Sequence, residues 1–393
     1  MESRSFDIII AGAGASGLSL LWYLLHSEDR ALRNKQILLA DRQLSVIRDK
    51  TWCFWDGRFL PFEDLIHHSW KSLEVRAFGN TFTGTLSDYS YHCVKSDDYT
   101  ARIFQLAREA GNVTLLEADI LGFADAGGKA EMETSKGTFT AEMIFQSALK
   151  PPGLSTMKLD ISLKQHFAGW HITSEKPVFD PEISTLMDFD VPQQSGVSFV
   201  YVLPFSRHDA LVEYTIFSEE LISDEGYAHG IESYIRERLE LDSSQYKTIY
   251  TEKGTIPMED RSYPARYCDN VWNIGTMGGL TKPSTGYTFT RIHRRNAEIA
   301  AALEAGKQPP DAAASPYRFR VYDMMLLYNL HHHPEISVTI FHELFRKNSF
   351  DNILGFLEEK TKFPQELKIF SSLPWKPFFK SIYALKHRIA TGA

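Results

Sequence analysis

One glutamate lies within an apolar stretch that has the alternation of a β-strand. In residues 210–217, ALVEYTIF, side chains alternate between the two faces, so Glu213 shares a face with Leu211 and Phe217. Glu213 is the only charged residue of this stretch, and burial would favour its neutral, protonated form, which a general acid needs. A buried ion pair with an arginine is the alternative, and the residue types alone do not decide between the two. Asp188, in LMDFDV, is a second carboxylate just upstream.

A glycine-rich turn near the N-terminus has the spacing of a dinucleotide-binding loop. It follows the apolar run FDIIIA, opens a segment with helical spacing and has the pattern G-x-G-x-x-G. Such glycines permit a tight turn, close approach of a pyrophosphate and close packing of helix on strand. An acidic residue ends the next predicted strand, where it can bind ribose hydroxyls. The alternative is a turn without a ligand. We predict dinucleotide contacts from Gly12, Gly14, Ala15, Ser16, Gly17, Asp41 and Arg42.

A second glycine-rich segment, NIGTMGGLTKPSTGYTFTRI (273–292), lies late in the chain and has the pattern of a strand, a loop and a helix. It predicts an FAD-binding domain that is split in sequence, with the late loop folding back on the first glycine turn. Backbone N–H groups at Gly286 could stabilise negative charge on the flavin. An ordinary glycine-rich loop is the alternative. The predicted cofactor contacts are Gly275, Thr276, Gly286 and Tyr287.

Aromatic residues cluster in TWCFW, residues 51–55. Trp52, Phe54 and Trp55 are predicted to line an apolar substrate pocket and to present π-faces to a cation. Packing in the core is the alternative. The histidines, including HHH at 331–333, have no carboxylate or cysteine partners at ligand spacing, so we predict packing or solvated roles and no metal site.

The elements that must position these residues indicate an α/β fold in three parts. FDIIIAGAG, the following helix and QILLADR predict a β-α-β unit, and VSFVYVLPFS with ALVEYTIFS predicts an antiparallel hairpin. A Pro-rich linker, GKQPPDAAASP (306–316), precedes a helical tail. The predicted parts are a Rossmann-type FAD-binding domain (1–50, 90–165 and 255–310), an antiparallel β-sheet substrate-binding domain (51–89 and 166–254) and a helical C-terminal region (311–393).

Composition excludes several classes of protein. The net charge of −8, from 42 Lys+Arg and 50 Asp+Glu, gives no reason to expect nucleic-acid binding. Three distant cysteines match neither a zinc site nor a disulfide framework and suit a reducing cytoplasm. Because no run approaches the ~20 apolar residues of a spanning helix, we expect a protein that is soluble or peripherally attached to a membrane.

Taken together, the motifs resemble those of bacterial lycopene beta-cyclases. The motifs occur in the order DIIIAGAGASGLSLLWYLL, DKTWCFW, LMDFDVPQ, FVYVLPFS, LVEYT, KGTIPM and KPSTGYTFTRI. The resemblance implies a flavoprotein isomerase of carotenoid biosynthesis that converts lycopene through gamma-carotene to beta-carotene without net redox change. It also implies reduced FAD, with NAD(P)H as the usual reductant.

The resemblance further implies roles for particular residues. Glu213 matches the first acid of the L-x-E-[ED]-T motif, while Tyr214 stands where a second acid usually follows. Asp188 matches the acid of a Met-Asp motif, and Lys282 stands where relatives often have histidine. Glu213 would donate the proton or relay it from reduced flavin, and Glu213 or Asp188 would accept the departing proton.

The sequence also supports expectations about where the protein is located and which other functions would fit it. The basic and aromatic tail segments predict a cytoplasmic protein that is peripherally associated with the inner membrane, although core packing would explain these segments equally well. One rival is an NAD(P)H-consuming flavin oxidoreductase of the same fold: a hydroxylase, a halogenase or an isoprenoid reductase. The other is a non-catalytic flavoprotein that binds carotenoid.

Overall fold

The computed structural model describes residues 4–48, 50–56, 61–311 and 315–391. Asp49 of the DKTWCFW motif and residues 312–314 of the predicted linker lie outside this description. The strands are β1 (Arg4–Ala11), β2 (Ile37–Asp41), β3 (Thr51–Asp56), β4 (Ile66–Trp70), β5 (Ser72–Ala77), β6 (Asn80–Thr85), β7 (Ser90–Lys95), β8 (Val113–Glu117), β9 (Ile120–Ala126), β10 (Lys129–Thr134), β11 (Gly137–Gln146), β12 (Ser162–Ser174), β13 (Ile183–Asp188), β14 (Val197–Pro204), β15 (Asp209–Ser218), β16 (Tyr246–Glu259), β17 (Arg266–Cys268) and β18 (Val271–Asn273). The α-helices are α1 (Ala15–Leu25), α2 (Arg30–Arg33), α3 (Ser96–Glu109), α4 (Asp224–Arg238), α5 (Phe289–Glu304), α6 (Tyr317–His332), α7 (Pro334–Lys347), α8 (Phe350–Leu357), α9 (Phe363–Ser372) and α10 (Trp375–Thr391).

The N-terminal strands form a parallel sheet, which confirms the predicted β-α-β unit. Its order is β18-β11-β1-β2-β8, with β17 antiparallel at one edge and β9–β10 as an antiparallel extension of β11. Ile8 and Ile10 pack with α1 and α3, whereas Ile9 packs on the opposite face of the sheet. Both faces of the sheet are covered here, which fits the continuous apolar run of residues 8–11 at the end of β1.

The late glycine-rich segment returns to this N-terminal sheet, as predicted. β18 pairs with β11 in parallel, from Ile144 opposite Val271 to Gln146 opposite Asn273. The following helix α5 packs on α1, and the side-chain amide of Asn296 donates to the carbonyl of Ser16 (2.8 Å). The two glycine-rich loops therefore end at the same edge of one sheet.

A second sheet of seven strands carries Glu213. Its order is β16-β12-β15-β14-β13-β5-β6, and the predicted hairpin is confirmed by the antiparallel pairing of β14 with β15. Leu211 and Phe217 face the C-terminal helices, whereas Val212 and Ile216 face α4. The predicted alternation along ALVEYTIF is therefore confirmed.

A small sheet and the C-terminal helices complete the molecule. The small sheet has the order β3-β7-β4, and its Trp55 joins the hydrophobic cluster that α6, α7 and α8 form against the seven-stranded sheet. The helical character of the C-terminal region is confirmed by α6 to α10. Among the described residues, no helix is both long enough and apolar enough to cross a membrane. The division into FAD-binding and substrate-binding domains stays a prediction.

Candidate active site

Two glutamates face each other across a glycine on the seven-stranded sheet. Glu213 of β15 lies opposite Tyr201 of β14 on one side and Gly169 of β12 on the other. Gly169 in turn lies opposite Glu252 of β16. A Cβ atom at Gly169 would lie 3.1 Å from Glu252 Cγ and 3.4 Å from Glu213 Cβ. The two glutamate side chains, together with Leu211, whose Cδ1 would lie 3.0 Å from that Cβ, fill the space that the glycine leaves open.

Both carboxyl groups are buried and each accepts a hydrogen bond from a threonine. Glu213 is 9% exposed and Glu252 is 4% exposed. The Thr215 hydroxyl donates to Glu213 Oε1 (3.0 Å), and the Thr51 hydroxyl donates to Glu252 Oε2 (2.8 Å). Burial, and next the negative charge of Glu252, raise the pKa of Glu213 well above its ordinary value. Glu213 is therefore in a form that can donate a proton.

Glu213 and Glu252 line a cavity of about 430 Å³ that extends to both glycine-rich loops. Ala15 of the first loop and Thr276 and Gly286 of the late loop lie in its wall. The aromatic residues that line the cavity are Trp52, Tyr91, Phe167, Tyr201, Tyr287 and Phe289. This arrangement brings an acid, π-faces and a candidate dinucleotide site into one space.

A second, apolar cavity of about 100 Å³ lies between the seven-stranded sheet and the C-terminal helices. Its wall includes Trp55 from β3 and Phe341 from α7. The two cavities share Tyr201, Thr285 and Tyr287 as lining residues. An elongated apolar molecule that reached Glu213 past these shared residues would be enclosed by hydrophobic walls.

The three predicted aromatic residues lie in different places. Trp52 lines the cavity of Glu213 and stacks on Phe289, with 5.6 Å between ring centroids. Trp55 lines the apolar cavity and meets Tyr287 edge to face at 4.3 Å. Phe54 is packed in the N-terminal hydrophobic cluster and lines neither of these cavities. Its position fits the core-packing alternative.

Asp188 lies on the other face of the seven-stranded sheet, so the structure does not bring it to Glu213. It is fully buried and accepts hydrogen bonds from the Tyr234 hydroxyl (3.0 Å) and Arg238 Nε (3.3 Å). Arg76 lies 3.6 Å away and completes an ion-pair group. Tyr214 also faces α4, so an acid at that position would point away from the cavity.

Glu252 is the functional candidate that sequence reasoning missed. It immediately precedes the KGTIPM motif, but its strand carries polar and charged residues along much of its length. Its proximity to Glu213 depends on the pairing of β12 with both neighbouring strands and on Gly169 between them. A glycine in an otherwise bulky strand was the available signal, because it often marks close approach of other groups.

The first glycine-rich loop fits a dinucleotide phosphate. Gly12 has φ +114°, and a Cβ at Gly17 would collide with the Gly12 carbonyl. Apart from Gly14 itself and its chain neighbours, no heavy atom of the described residues lies within 4 Å of a Cβ placed at Gly14, which leaves open space at the start of α1. The buried Ser16 hydroxyl has no hydrogen-bond partner within the described ranges. This hydroxyl and the helix N-terminus can together bind an anion.

The acidic end of β2 and the late loop border the same region. Asp41 Oδ2 accepts a hydrogen bond from the Ala13 N–H (2.6 Å), which ties the first loop to β2, and Arg42 beside it is exposed. Gly275 has φ +62°, and a Cβ there would lie 3.0 Å from Ser16 Cβ. The two glycine-rich loops are therefore close together, as the prediction of a split dinucleotide site expects.

The backbone N–H of Gly286 was expected to be available to the flavin, and the structure differs from this expectation. Its N–H donates to the Lys282 carbonyl (2.9 Å), so this N–H closes a turn and does not point to a ligand. Gly286 has φ +72°, and a Cβ there would collide with Oε1 of Gln165, a buried oxygen that has no partner among the described residues. The contribution of Gly286 is therefore the space left by its missing side chain.

Lys282, at the position where the resemblance places histidine, forms a buried ion cluster. Its Nζ lies 2.9 Å from Asp323 of α6 and 2.9 Å from Glu359, which follows α8. The Ser284 hydroxyl donates to Asp323 (2.6 Å), and Arg291 lies 3.3 Å from Glu359. These contacts fix the loop before α5 to the C-terminal helices.

The histidines differ in their surroundings: His166 is packed in the interior, whereas His332 of the HHH run is exposed. His166 is fully buried, and its ring nitrogens lie 2.6 Å from the Tyr227 hydroxyl and 2.7 Å from the Ser218 hydroxyl. Within the part of the chain that the structure describes, no three His, Cys, Asp or Glu side chains are grouped in a way that could hold a metal ion.

Comparison with known proteins decides the family. A sequence model of the family described as lycopene cyclase protein matches residues 7–383. The chain belongs to the lycopene cyclase family. This family member is 26% identical over 328 residues to the lycopene beta-cyclase of Paracoccus sp. (strain N81106 / MBIC 01143), an alignment that covers 80% of this chain and 78% of the relative.

Solved structures show that this lycopene cyclase family member has the fold of known flavoproteins. A geranylgeranyl bacteriochlorophyll reductase-like protein from Thermoplasma acidophilum matches with a TM-score of 0.59 and 12% identity, covering 98% of this chain and 100% of that one. A variant of HpxO from Klebsiella pneumoniae, complexed with FAD, matches with a TM-score of 0.58 and 14% identity, covering 94% and 100%. At these identities the likeness concerns the fold alone.

Proposed function

We propose that this protein is a lycopene beta-cyclase, which closes β-ionone rings at the ends of lycopene without net oxidation or reduction. The observation that carries the proposal is a buried Glu213 carboxyl, with a raised pKa, in a cavity lined by aromatic rings and both glycine-rich loops. Family membership and the Paracoccus relative support lycopene as the substrate.

The first chemical step is protonation of the terminal double bond of the substrate. Glu213 holds its proton because burial and the neighbouring Glu252 disfavour the ionised form. The π electrons of the alkene take this proton, which leaves a carboxylate on Glu213 and a tertiary carbocation on the substrate. The neighbouring double bond attacks the cation and closes a six-membered ring, and loss of a proton gives the β-ring.

The walls of the cavity protect and stabilise the cation. Trp52, Tyr201 and Tyr287 present aromatic faces, which attract cations, and they replace water that would otherwise add to the carbocation. The hydroxyls of Tyr91 and Tyr287 lie 3.2 Å apart and share one hydrogen bond. Burial raises the pKa of Tyr287 further above its ordinary value, which disfavours the phenolate.

The glycine-rich loops are proposed to hold FAD. Gly12, Gly14 and Ser16 would bind the pyrophosphate, and Asp41 would bind the ribose. Reduced FAD, generated with NAD(P)H as reductant, would supply negative charge close to the reacting chain end. Ala15, Thr276 and Thr288 lie in the cavity wall and would border the bound cofactor.

The C-terminal helices are proposed to contact the inner membrane from the cytoplasmic side, because lycopene dissolves in lipid. Trp375, Phe379 and Tyr383 of α10 are 63%, 63% and 73% exposed. Lysines 376, 380 and 386 lie on the same helix, and such a mixture of aromatic and basic residues suits an anionic membrane surface. Arg388 is buried and pairs with Asp260 (3.0 Å), which fixes the end of α10 to the body of the protein.

Expression in a lycopene-accumulating bacterium tests the proposal, with chromatography of the extracted pigments. We expect conversion of lycopene to beta-carotene, and loss of cyclised products in Glu213→Gln while FAD remains bound to the purified variant. Unchanged lycopene with the wild-type chain would overturn the proposal. An ε-ring product would overturn only the proposed position of the ring double bond and would leave the cyclase activity standing.

A redox flavoenzyme of the same fold is distinguished by stoichiometry. Such an enzyme consumes one NAD(P)H for each product molecule, whereas the proposed cyclisation needs reductant only to keep the flavin reduced. With flavin chemically pre-reduced in the absence of oxygen, the proposed cyclase should complete many turnovers without NAD(P)H. Product limited to one equivalent per flavin would favour the redox enzyme.

A further inference from the structure

We propose that Glu252 is the base of the cyclisation: it accepts the proton that leaves the new ring and returns it to Glu213. The inference rests on the proposed function and assigns a role that the sequence had left to Glu213 or Asp188. Asp188 is held by Tyr234 and Arg238 on the other face of the sheet, whereas Glu252 lines the same cavity as Glu213.

The backbone geometry makes Glu213 and Glu252 a pair. Both lie opposite Gly169, one from each neighbouring strand. Any side chain at residue 169 would stand between them, since its Cβ would already lie 3.1 Å and 3.4 Å from their methylene carbons. The glycine therefore permits two acids to face one cavity on either side of a single strand.

The surroundings favour one shared proton. Two buried carboxyl groups at short range do not ionise together, because the second negative charge would lack solvation and would repel the first. Each accepts a hydrogen bond from a threonine, Thr215 for Glu213 and Thr51 for Glu252. The titratable groups that face the pair from the neighbouring elements are Lys50, Cys53, Cys93, Tyr201, Tyr250 and Tyr287.

Glu213 and Glu252 together can supply and recover every proton that the reaction moves. Protonated Glu213 gives its proton to the alkene and becomes a carboxylate, while the Glu252 carboxylate takes a proton from the ring carbon next to the cation. The electrons of that carbon–hydrogen bond form the ring double bond. Glu252 is then neutral and Glu213 is charged, so transfer of one proton across the gap above Gly169 restores the starting state. No oxidant or reductant is consumed.

The decisive comparison uses Glu252→Gln, Glu252→Asp and a control, Glu259→Gln, in the FAD-loaded protein. Glu259 lies on the same strand but is paired with Arg261 and lies outside the lining of this cavity. Each variant is assayed with lycopene in liposomes and pre-reduced flavin. We expect Glu252→Gln to lower kcat about 100-fold, consistent with loss of a general base. Glu252→Asp should recover part of this loss, and Glu259→Gln should stay near wild type.

Product identity provides a readout that a merely structural role of Glu252 would not move. Without its base, the cation should lose a different proton or capture water, so ε-ring, γ-ring or hydroxylated products should rise relative to the β-ring in Glu252→Gln. The alkaline limit of activity should also move to lower pH, because Glu213 loses the neighbouring charge that raises its pKa.

The outcomes separate this inference from the proposed function. If the wild-type chain forms no cyclised carotenoid, the proposed function fails. Suppose that the wild type cyclises lycopene and that Glu252→Gln folds. If this variant keeps kcat and the product ratio within threefold of wild type and leaves the alkaline limit of activity at the same pH, the role of Glu252 is overturned. If Glu252→Gln does not fold, Gly169→Ala tests the same pair with both carboxyl groups present. Gly169→Ala should lower kcat at least tenfold. An unchanged kcat in Gly169→Ala would also overturn the role of Glu252.

Discussion

Replacing Lys282 with methionine should destabilise the protein strongly, although the change touches no proposed catalytic group. The Lys282 side chain is 5% exposed, and its two partners Asp323 and Glu359 are 7% and 10% exposed. Removing one member of a buried ion pair leaves uncompensated charge away from water, at a cost of about 3–5 kcal/mol. Here two carboxylates would remain, with Arg291 as the nearest remaining cation at 3.3 Å from Glu359. We therefore expect the free energy of unfolding to fall by about 3–5 kcal/mol.

Lys35→Met is a matched control. Lys35 also has an Nζ–carboxylate distance of 2.9 Å, to Glu142, but the side chains are 32% and 52% exposed. Exposed pairs contribute about 0–1 kcal/mol, because solvent screens the charges. Urea denaturation followed by tryptophan fluorescence gives both values. If Lys282→Met lost no more stability than Lys35→Met, the buried cluster would not have the energetic role described.

The pH dependence of that difference provides a second check. Burial alone would raise the pKa of Glu359, but the charges of Lys282 and Arg291 outweigh burial and lower it below 4.5. A depressed pKa stabilises the folded state above pH 4.5 and loses that contribution as the pH falls through the folded value. The stability difference between wild type and Lys282→Met should therefore shrink on acidification. A difference that stayed constant from neutral to acidic pH would contradict the assignment.

Three further predictions concern the acids and the exposed helix. The pKa of Glu213 is higher in the folded state than in the unfolded state, so the contribution of Glu213 to the free energy of unfolding declines as the pH rises, by about 1.4 kcal/mol for each pH unit between 4.5 and the folded pKa. Glu213→Gln should lack this decline when chemical denaturation at about pH 5 is compared with denaturation at about pH 9. Asp188→Asn should leave the ratio of β- to ε-ring products unchanged but lower stability by about 1.5–3 kcal/mol, because the buried carboxylate loses its charge-assisted hydrogen bonds while Arg76 and Arg238 keep Glu74 and Asp190 as partners. A changed product ratio would place Asp188 in the reaction. The double variant Trp375→Ser, Phe379→Ser should bind anionic liposomes at least tenfold more weakly in co-sedimentation without loss of stability, whereas equal binding would leave these residues without a membrane role.

The elements of the fold were largely predictable because local patterns specify them. The apolar run before Gly12 and the helical spacing after it indicated β1 and α1, and the polar turn before residue 210 indicated the hairpin of β14 and β15. The strand alternation correctly separated Leu211 from Val212. These features depend on neighbours in sequence, which a single chain displays directly.

The composition of the site was less predictable because it depends on pairing between distant strands. A register shift between Thr185 and Asp188 determines which face Asp188 occupies, and no local pattern reveals it. Glu252 reaches Glu213 only through the pairing of β12 with both neighbours. The turn that engages the Gly286 N–H likewise depends on Lys282, whose position is fixed by α6 and the segment after α8.

The shared wall of the two cavities has a consequence for processivity. Lycopene, the proposed substrate, is symmetric, and the proposed Glu213–Glu252 pair would serve one chain end at a time, while Tyr201 and Tyr287 line both cavities. In the proposed reaction, a molecule that has gained its first ring would have to withdraw past these residues and re-enter in reverse before its second end reached Glu213. Under the proposed function, the share of monocyclic carotenoid released would be set by competition between re-entry and escape into lipid, and dilution of the substrate in the bilayer should alter that share without any change in the chemical step.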